Sequence, residues 1–198
     1  MPTEETVIET EQKIIKKSSA ILEILKLTLL ALIIVVPTRY FIAQPFVVQG
    51  YSMTPTFNPS DYLIIDEITP RFHAPERGDI MIFRYPLDTD TYFIKRVVGL
   101  PGETISIAST TVTVTKEGES HTFTETYRSS PNNPGDEKVI TLASDEYYML
   151  GDNRRASSDS RMWGPLKEKY FVGRAFVRIL PLSSAGYLPG KKEMNPQK

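Results

Sequence analysis

The stretch YFIKRVVGLPGE, from Tyr92 to Glu103, decides how the chain folds. It is rich in β-branched and aromatic residues and closes on the turn signal Pro101-Gly102, which marks a strand. Side chains alternate along a strand, so Phe93, Lys95 and Val97 share one face and Ile94, Arg96 and Val98 the other. Lys95 therefore stands between two apolar neighbours. An amine so placed loses hydration, which favours its neutral form. Lowering a lysine pKa from about 10.4 to near 7.5 takes roughly 4 kcal/mol, within reach of burial in an apolar cleft.

The same texture runs outward on both sides. Phe46 to Gln49, Tyr62 to Ile65, Asp79 to Arg84, Thr91 to Val98, Thr104 to Ile107, Thr110 to Thr115, Thr122 to Thr126, Val139 to Leu142, Tyr147 to Leu150 and Gly173 to Leu180 read as strands. Each is short and bounded by Gly, Pro, Asn or Asp. Asn58-Pro59-Ser60-Asp61 and Pro131-Asn132-Asn133-Pro134-Gly135 are loop signals. An almost all-β domain is expected. Its Thr/Ser-rich block from Thr104 to Thr141, within residues 104–147, reads as a β insertion. Residues 183–198 are polar, contain Pro and Gly, and read as a frayed tail.

Composition removes several chemistries. The 198 residues include no cysteine, which excludes thiol catalysis, thiolate metal sites and disulfides. The two histidines, His73 and His121, lie in polar segments without an acidic partner at a useful spacing, so neither a Ser-His-Asp triad nor an HExxH zinc site can be assembled. A formal net charge of -1 advertises no nucleic-acid partner. What remains is a hydroxyl activated by an amine.

Two further stretches supply the partners. Ser52, inside YSMTPTF from Tyr51 to Phe57, sits on a chain reversal that presents its hydroxyl from the end of the strand Phe46 to Gln49. Alone, a serine near proline is a common turn residue. GDNRRASSDSRMWG, from Gly151 to Gly164, packs three hydroxyls, two aspartates and three arginines into 14 residues. Asp152 or Asp159 can pair with Arg96, Arg154 or Arg161, and Ser157 or Ser158 can hydrogen-bond the lysine amine.

At the N-terminal end, every residue from Leu27 to Val36 except Thr28 is strongly apolar, and the pattern extends back to Ala20. A helix over residues 20–38 would be about 28 Å long, close to a bilayer's hydrocarbon core. Glu23 and Lys26 interrupt it at a spacing that lets them pair. On hydropathy alone, a buried or interfacial helix fits the same residues. Lys13, Lys16 and Lys17 precede the segment and only Arg39 follows closely, so residues 1–19 are expected in the cytosol and residues 39–182 outside. A cleavable leader fits poorly, because the preceding stretch is long and acidic and no small-x-small site follows.

Taken in order, Ser52-Met53-Thr54-Pro55-Thr56, Gly78-Asp79-Ile80, Lys95 to Gly102 and Gly151 to Gly164 resemble the boxes SMxPT, GDI, KRVVGLPG and GDNRxxSxDSRxWG of bacterial type I signal peptidases. The resemblance runs from the apolar segment to Pro181. It implies a membrane-anchored Ser-Lys serine protease with a signal-peptidase-like β-sheet or barrel domain. Its partners would be the signal peptides of exported preproteins and the lipid bilayer of the bacterial cytoplasmic membrane. It further implies a monomer without cofactor or metal. By position, Ser52 would be the nucleophile, Lys95 the general base and Ser157 the group orienting the lysine. Asp152 with Arg96, and Asp159 with Arg161, would be scaffold pairs. Val48, Met53, Phe93 and Ile94 would line shallow pockets that admit the small side chains of an Ala-x-Ala segment held by β-augmentation.

One position departs from the pattern. Where some members place a serine two residues before the nucleophile, this chain has Gly50, so the oxyanion hole would rest on the backbone of Ser52 and Gly50. Three rivals share parts of the pattern. A self-cleaving repressor-type protease would need a DNA-binding helix pair. The others are a peptidase for a narrow client set and a membrane-tethered module that binds peptides without cutting them.

Overall fold

The computed structural model describes residues 21–35, 44–108, 111–128 and 138–192, and the chain divides into two compact units, Met1–Phe41 and Ile42–Lys198. In the first unit, residues 21–35 form helix α1. Its leucines and isoleucines are all more than half exposed, and the Thr28 hydroxyl donates to the Ile24 carbonyl at 2.8 Å. Among the described residues no helix is long and apolar enough to cross a membrane. Residues 1–19 and the ends of the span expected over 20–38 lie outside the described residues, as does the loop Pro131 to Gly135.

The second unit is built of antiparallel sheet. Its strands are β1 (Gln44–Val47), β2 (Tyr62–Asp66), β3 (Ile80–Tyr85), β4 (Asp88–Gly99), β5 (Thr104–Ile107), β6 (Thr111–Lys116), β7 (Glu119–Thr124), β8 (Lys138–Thr141), β9 (Glu146–Leu150), β10 (Leu166–Lys167), β11 (Phe171–Leu180) and β12 (Gly186–Tyr187). The main sheet runs β1-β2-β11-β3-β4-β9-β10, with β12 on β11. A second sheet runs β7-β6-β5-β8 and takes in most of the Thr/Ser-rich block. The ten strands read from sequence are all present with ends shifted by a few residues. The two-residue strands β10 and β12, too short to carry an alternation, went unread.

Alternation explains how the layers pack. On β3, Ile80 and Ile82 join Val48, Met53, Phe57, Leu63, Ile65 and Ala175 in one cluster. Met81 and Phe83 face the other way and join Val97, Tyr147, Met149 and Leu166. The unbroken apolar run IMIF thus belongs to a strand covered on both faces. The second sheet buries Ile105, Ile107, Val112, Val114 and Phe123 against Val98, Tyr148 and Leu150. Its other face pairs hydroxyls across strands, Thr113 with Thr122 and Thr115 with Ser120. Each fully buried aliphatic or aromatic side chain in these clusters stabilises by roughly 1.5–3 kcal/mol.

Strand β4 changes company along its length. Tyr92 to Arg96 pair with Arg84 to Ile80 of β3 on one side. Pairing to β9 on the other side begins only at Arg96, opposite Leu150. The edge of β4 ahead of Arg96 is therefore not taken up by β9. On the other flank of the sheet, β1 pairs among the described residues with β2 alone.

Residues 183–192, expected to be frayed, are instead folded back. β12 pairs with Val177 and Arg178 of β11, and the Gly190 carbonyl accepts from Arg96 Nη1 at 2.7 Å. Lys191 bridges Glu76 at 2.7 Å and Asp79 at 3.3 Å. Polar, Pro/Gly-containing composition misled here because the segment is held largely through its backbone and one lysine, with the Tyr187 ring packed edge-on against Phe176 at 4.9 Å and Pro189 buried. Gly190 has φ +76°, and a Cβ there would overlap the Thr56 methyl and Ile80 Cδ1. Gly190→Ala is expected to lower unfolding free energy by about 1–3 kcal/mol, as read from the urea midpoint. An unchanged midpoint would show that this segment is not docked.

Candidate active site

Ser52 sits on a turn that the core holds down at both ends. Val48 N–H donates to the Asp61 carbonyl and Ser60 N–H to the Val48 carbonyl, both at 2.9 Å, extending the β1–β2 ladder to the turn's threshold. Beyond it, Phe57 N–H bonds the Met53 carbonyl at 2.9 Å, and the side chains of Met53 and Phe57 are buried. Ser52, just ahead of these plugs, stays half-exposed. Its neighbour across the sheet is the Lys95 amine: Nζ lies 3.0 Å from Ser52 Oγ and 2.9 Å from the Ile94 carbonyl oxygen.

Lys95 is only 3% exposed. Desolvation lowers its pKa to about 8, against the opposing pull of the Asp159 and Asp152 carboxylates. The Phe93 ring, 4.8 Å from the nitrogen, forms part of that dry surround. The strand parity read from sequence accounts for part of the effect, since Phe93, two residues before Lys95, lies beside the amine. A substantial neutral fraction at mildly alkaline pH, beside a hydroxyl at hydrogen-bonding distance, is what an amine base needs.

The Gly151 to Gly164 loop frames this pair. Asn153 N–H donates to the Ser52 carbonyl at 2.9 Å, tying the loop to the serine's own backbone. Gly151 must lack a side chain, because a Cβ there would run into the Ser157 hydroxyl and the Ser52 carbonyl oxygen. Of the pairings left open, Arg96 grips Asp152 through two bonds of 2.8 and 2.6 Å. Both side chains are fully buried, and Arg96 also donates to the Gly78 and Gly190 carbonyls. Thr56 completes Asp152's shell by donating its hydroxyl. Arg161 holds Asp159 at 2.8 and 2.9 Å, and Asp159 accepts the Gly151 N–H at 3.1 Å. Removing one partner of such a buried pair typically costs about 3–5 kcal/mol.

Ser157, the residue expected to orient the lysine, is half-buried, and its hydroxyl oxygen, itself out of solvent, makes no hydrogen bond among the described residues. Ser158, the other candidate, lines the cleft.

That cleft has a volume of about 720 Å³ and is walled by residues 45–52 on one side and 91–95 on the other, with Leu63 and Ile82 between them. Val48, Phe93 and Ile94 line it, and Met53 does not. The methionine points into the core because a turn does not follow the two-residue period of a strand. Phe46 and Tyr92 were not singled out, yet their rings meet edge-on across the cleft at 5.6 Å. Phe46 was findable, two residues before Val48 on the same strand face. Thr56 went unassigned although it closes the box that holds Ser52, and Glu125 and Tyr127 escaped notice because nothing in their local sequence points toward the site.

The family model described as "Signal peptidase, peptidase S26" matches residues 21–180. A protein named signal peptidase I from Leptolyngbya laminosa is 34% identical over 183 residues, covering 87% of this chain and 86% of the relative. A probable signal peptidase I-2 from Synechocystis sp. is 35% identical over 201 residues, covering 96% and 88%. Signal peptidase I P of Bacillus subtilis subsp. natto is 32% identical over 173 residues, covering 84% and 93%. With a model match across most of its length and relatives of this identity and coverage, the chain belongs to the S26 signal peptidase family and is a serine peptidase.

Proposed function

We propose that the protein cleaves signal peptides from exported preproteins with a Ser52–Lys95 dyad, after a small-x-small segment bound along the cleft. The observation that carries the reading is the 3.0 Å approach of a buried, poorly hydrated lysine amine to the Ser52 hydroxyl. Neutral Lys95 takes the proton of Ser52 as Oγ attacks the scissile carbonyl. The resulting ammonium returns that proton to the departing amine of the mature protein, leaving the signal peptide as an ester on Ser52. A water that gives its proton to the same amine then hydrolyses the ester. The backbone N–H groups of Ser52 and Gly50 are assigned to the oxyanion, and Ser157, whose buried hydroxyl is uncommitted, to the amine.

Substrate would enter as an added strand. The edge of β4 ahead of Arg96 is not taken up by β9, and β1 is an edge strand, so an extended peptide has backbone partners on both walls. Val48, Phe93 and Ile94 narrow the space for its side chains. Exposure of α1's apolar side chains all round fits a helix surrounded by lipid. On that reading residues 20–38 are a single-pass anchor with the amino terminus in the cytosol and the peptidase unit outside the bacterial cytoplasmic membrane. Confinement there raises the effective concentration of membrane-bound substrate.

Ser52→Ala, Lys95→Met and Lys95→Arg are each expected to lower preprotein cleavage by at least about 10³-fold, the arginine because a guanidinium does not become a base. Full activity in any one of them, measured by gel or mass spectrometry, would end the dyad assignment. The base must be neutral, so kcat/KM for the parent should rise with pH through about 8 and then level off. A rate that falls between pH 7 and 9 contradicts this. The same shift has a stability consequence with a definite sign. Between the folded pKa of about 8 and the ordinary lysine value of 10.5, the unfolded chain binds more protons, so stability rises with pH across that window and the full penalty is present below it. Lys95→Met should therefore stabilise the protein at pH 7, by up to about 3 kcal/mol, and the gain should shrink as pH rises from about 8 to 10.5 and be lost above that window. A denaturation midpoint that drops in the variant at pH 7 would show that the ammonium carries no such penalty.

A further inference from the structure

We propose that Glu125 and Tyr127, which follow β7 of the second sheet, are positioning residues that hold the Ser52 carbonyl and the Arg96–Asp152 pair in place; this rests on the reading of Ser52 as nucleophile. Both are buried, Glu125 at 4% and Tyr127 at 8% exposure, at the end of a sheet whose own sequence is Thr-rich and carries no catalytic motif.

Two arms lead from this segment to the site. In the first, Glu125 Oε1 accepts from Arg154 Nη2 and from the Tyr127 hydroxyl at 2.7 Å, while its other oxygen lies 3.4 Å from Arg128. Arg154, fully buried, donates through Nε to the Gly151 carbonyl at 2.9 Å, and its own carbonyl accepts from Arg161 at 2.6 Å. Residues 151–154 are thus fixed, and Asn153 N–H within them holds the Ser52 carbonyl. In the second arm, the Tyr127 ring lies 4.0 Å beneath the Arg96 guanidinium. Arg96 follows Lys95 directly on β4 and clamps Asp152, which in turn takes the hydroxyl of Thr56, four residues past the nucleophile.

Chemistry favours a geometric role. An apolar residue would fill the same volume without burying a charge. A carboxylate that fixes one guanidinium, whose remaining donor fixes a loop carbonyl, sets the direction of that loop. Burial first, and the neighbouring Glu125 charge next, push the Tyr127 phenol well above its ordinary pKa, so it stays a donor to Glu125.

The test uses the full chain with Glu125→Gln and Tyr127→Leu, each checked for folding by its thermal midpoint and assayed well below it. A misplacement of the nucleophile predicts a fall in kcat of about 10- to 100-fold with KM within about twofold. It also predicts at least about tenfold faster hydrogen exchange at the Asn153 amide, read by NMR. Tyr127→Phe, which keeps the ring under Arg96, should recover part of the kcat lost in Tyr127→Leu, and it carries the test if Glu125→Gln does not fold. Folded variants that keep parental kcat, or that lose kcat without faster exchange at Asn153, overturn the proposal. If cleavage by the parent survives Ser52→Ala, the nucleophile assignment fails instead, and the Asn153 exchange rate alone then decides whether these residues hold the loop.

Discussion

An ammonium group that has lost its water is the constraint around which the peptidase unit is organised. Lys95 is placed 3% exposed against Phe93, and such burial is unfavourable for the charged form. Evolution of a stable fold alone would put a methionine or leucine there. The cost is tolerated because the surrounding charges are arranged in neutralised pairs, Arg96 with Asp152 and Arg161 with Asp159. These carboxylates are near enough to oppose the shift and committed enough to their arginines not to abolish it. The lysine is left with a pKa of about 8, close to where the proposed base would work.

Those pairs also do mechanical work. Arg96 reaches the backbone at Gly78 and Gly190, and Asp159 reaches the amide of Gly151. Carbonyls and amides from distant parts of the chain are thereby fixed by side chains whose own positions are over-determined. The serine turn needs this, because its period is irregular and, among the described residues, its hold on the core comes from the buried side chains of Met53 and Phe57.

Much of this was legible in the residues. Alternation gave the strands and put Lys95 between Phe93 and Val97, and the crowding of Asp, Arg and Ser into Gly151 to Gly164 marked the frame. In the structure Arg96 pairs with Asp152 and Arg161 with Asp159. What could not be read were contacts made by backbone or by residues far apart in sequence. The folded segment through Gly190 is held mainly by carbonyls, which every residue possesses. Glu125 and Tyr127 look like any polar residues at the end of a Thr-rich sheet. Met53, which the resemblance implied for the pocket wall, instead points into the core from the serine turn.

The change of partner along β4 has a metric consequence. Ahead of Arg96 the strand is not paired with β9, and from Arg96 onward it is. In the proposed binding mode, a guest chain zipping along β4 would be stopped by the host's own ladder one residue beyond Lys95. The sheet would then act as a ruler with an end-stop, fixing which bond of the guest lies at the serine irrespective of how long the guest extends upstream.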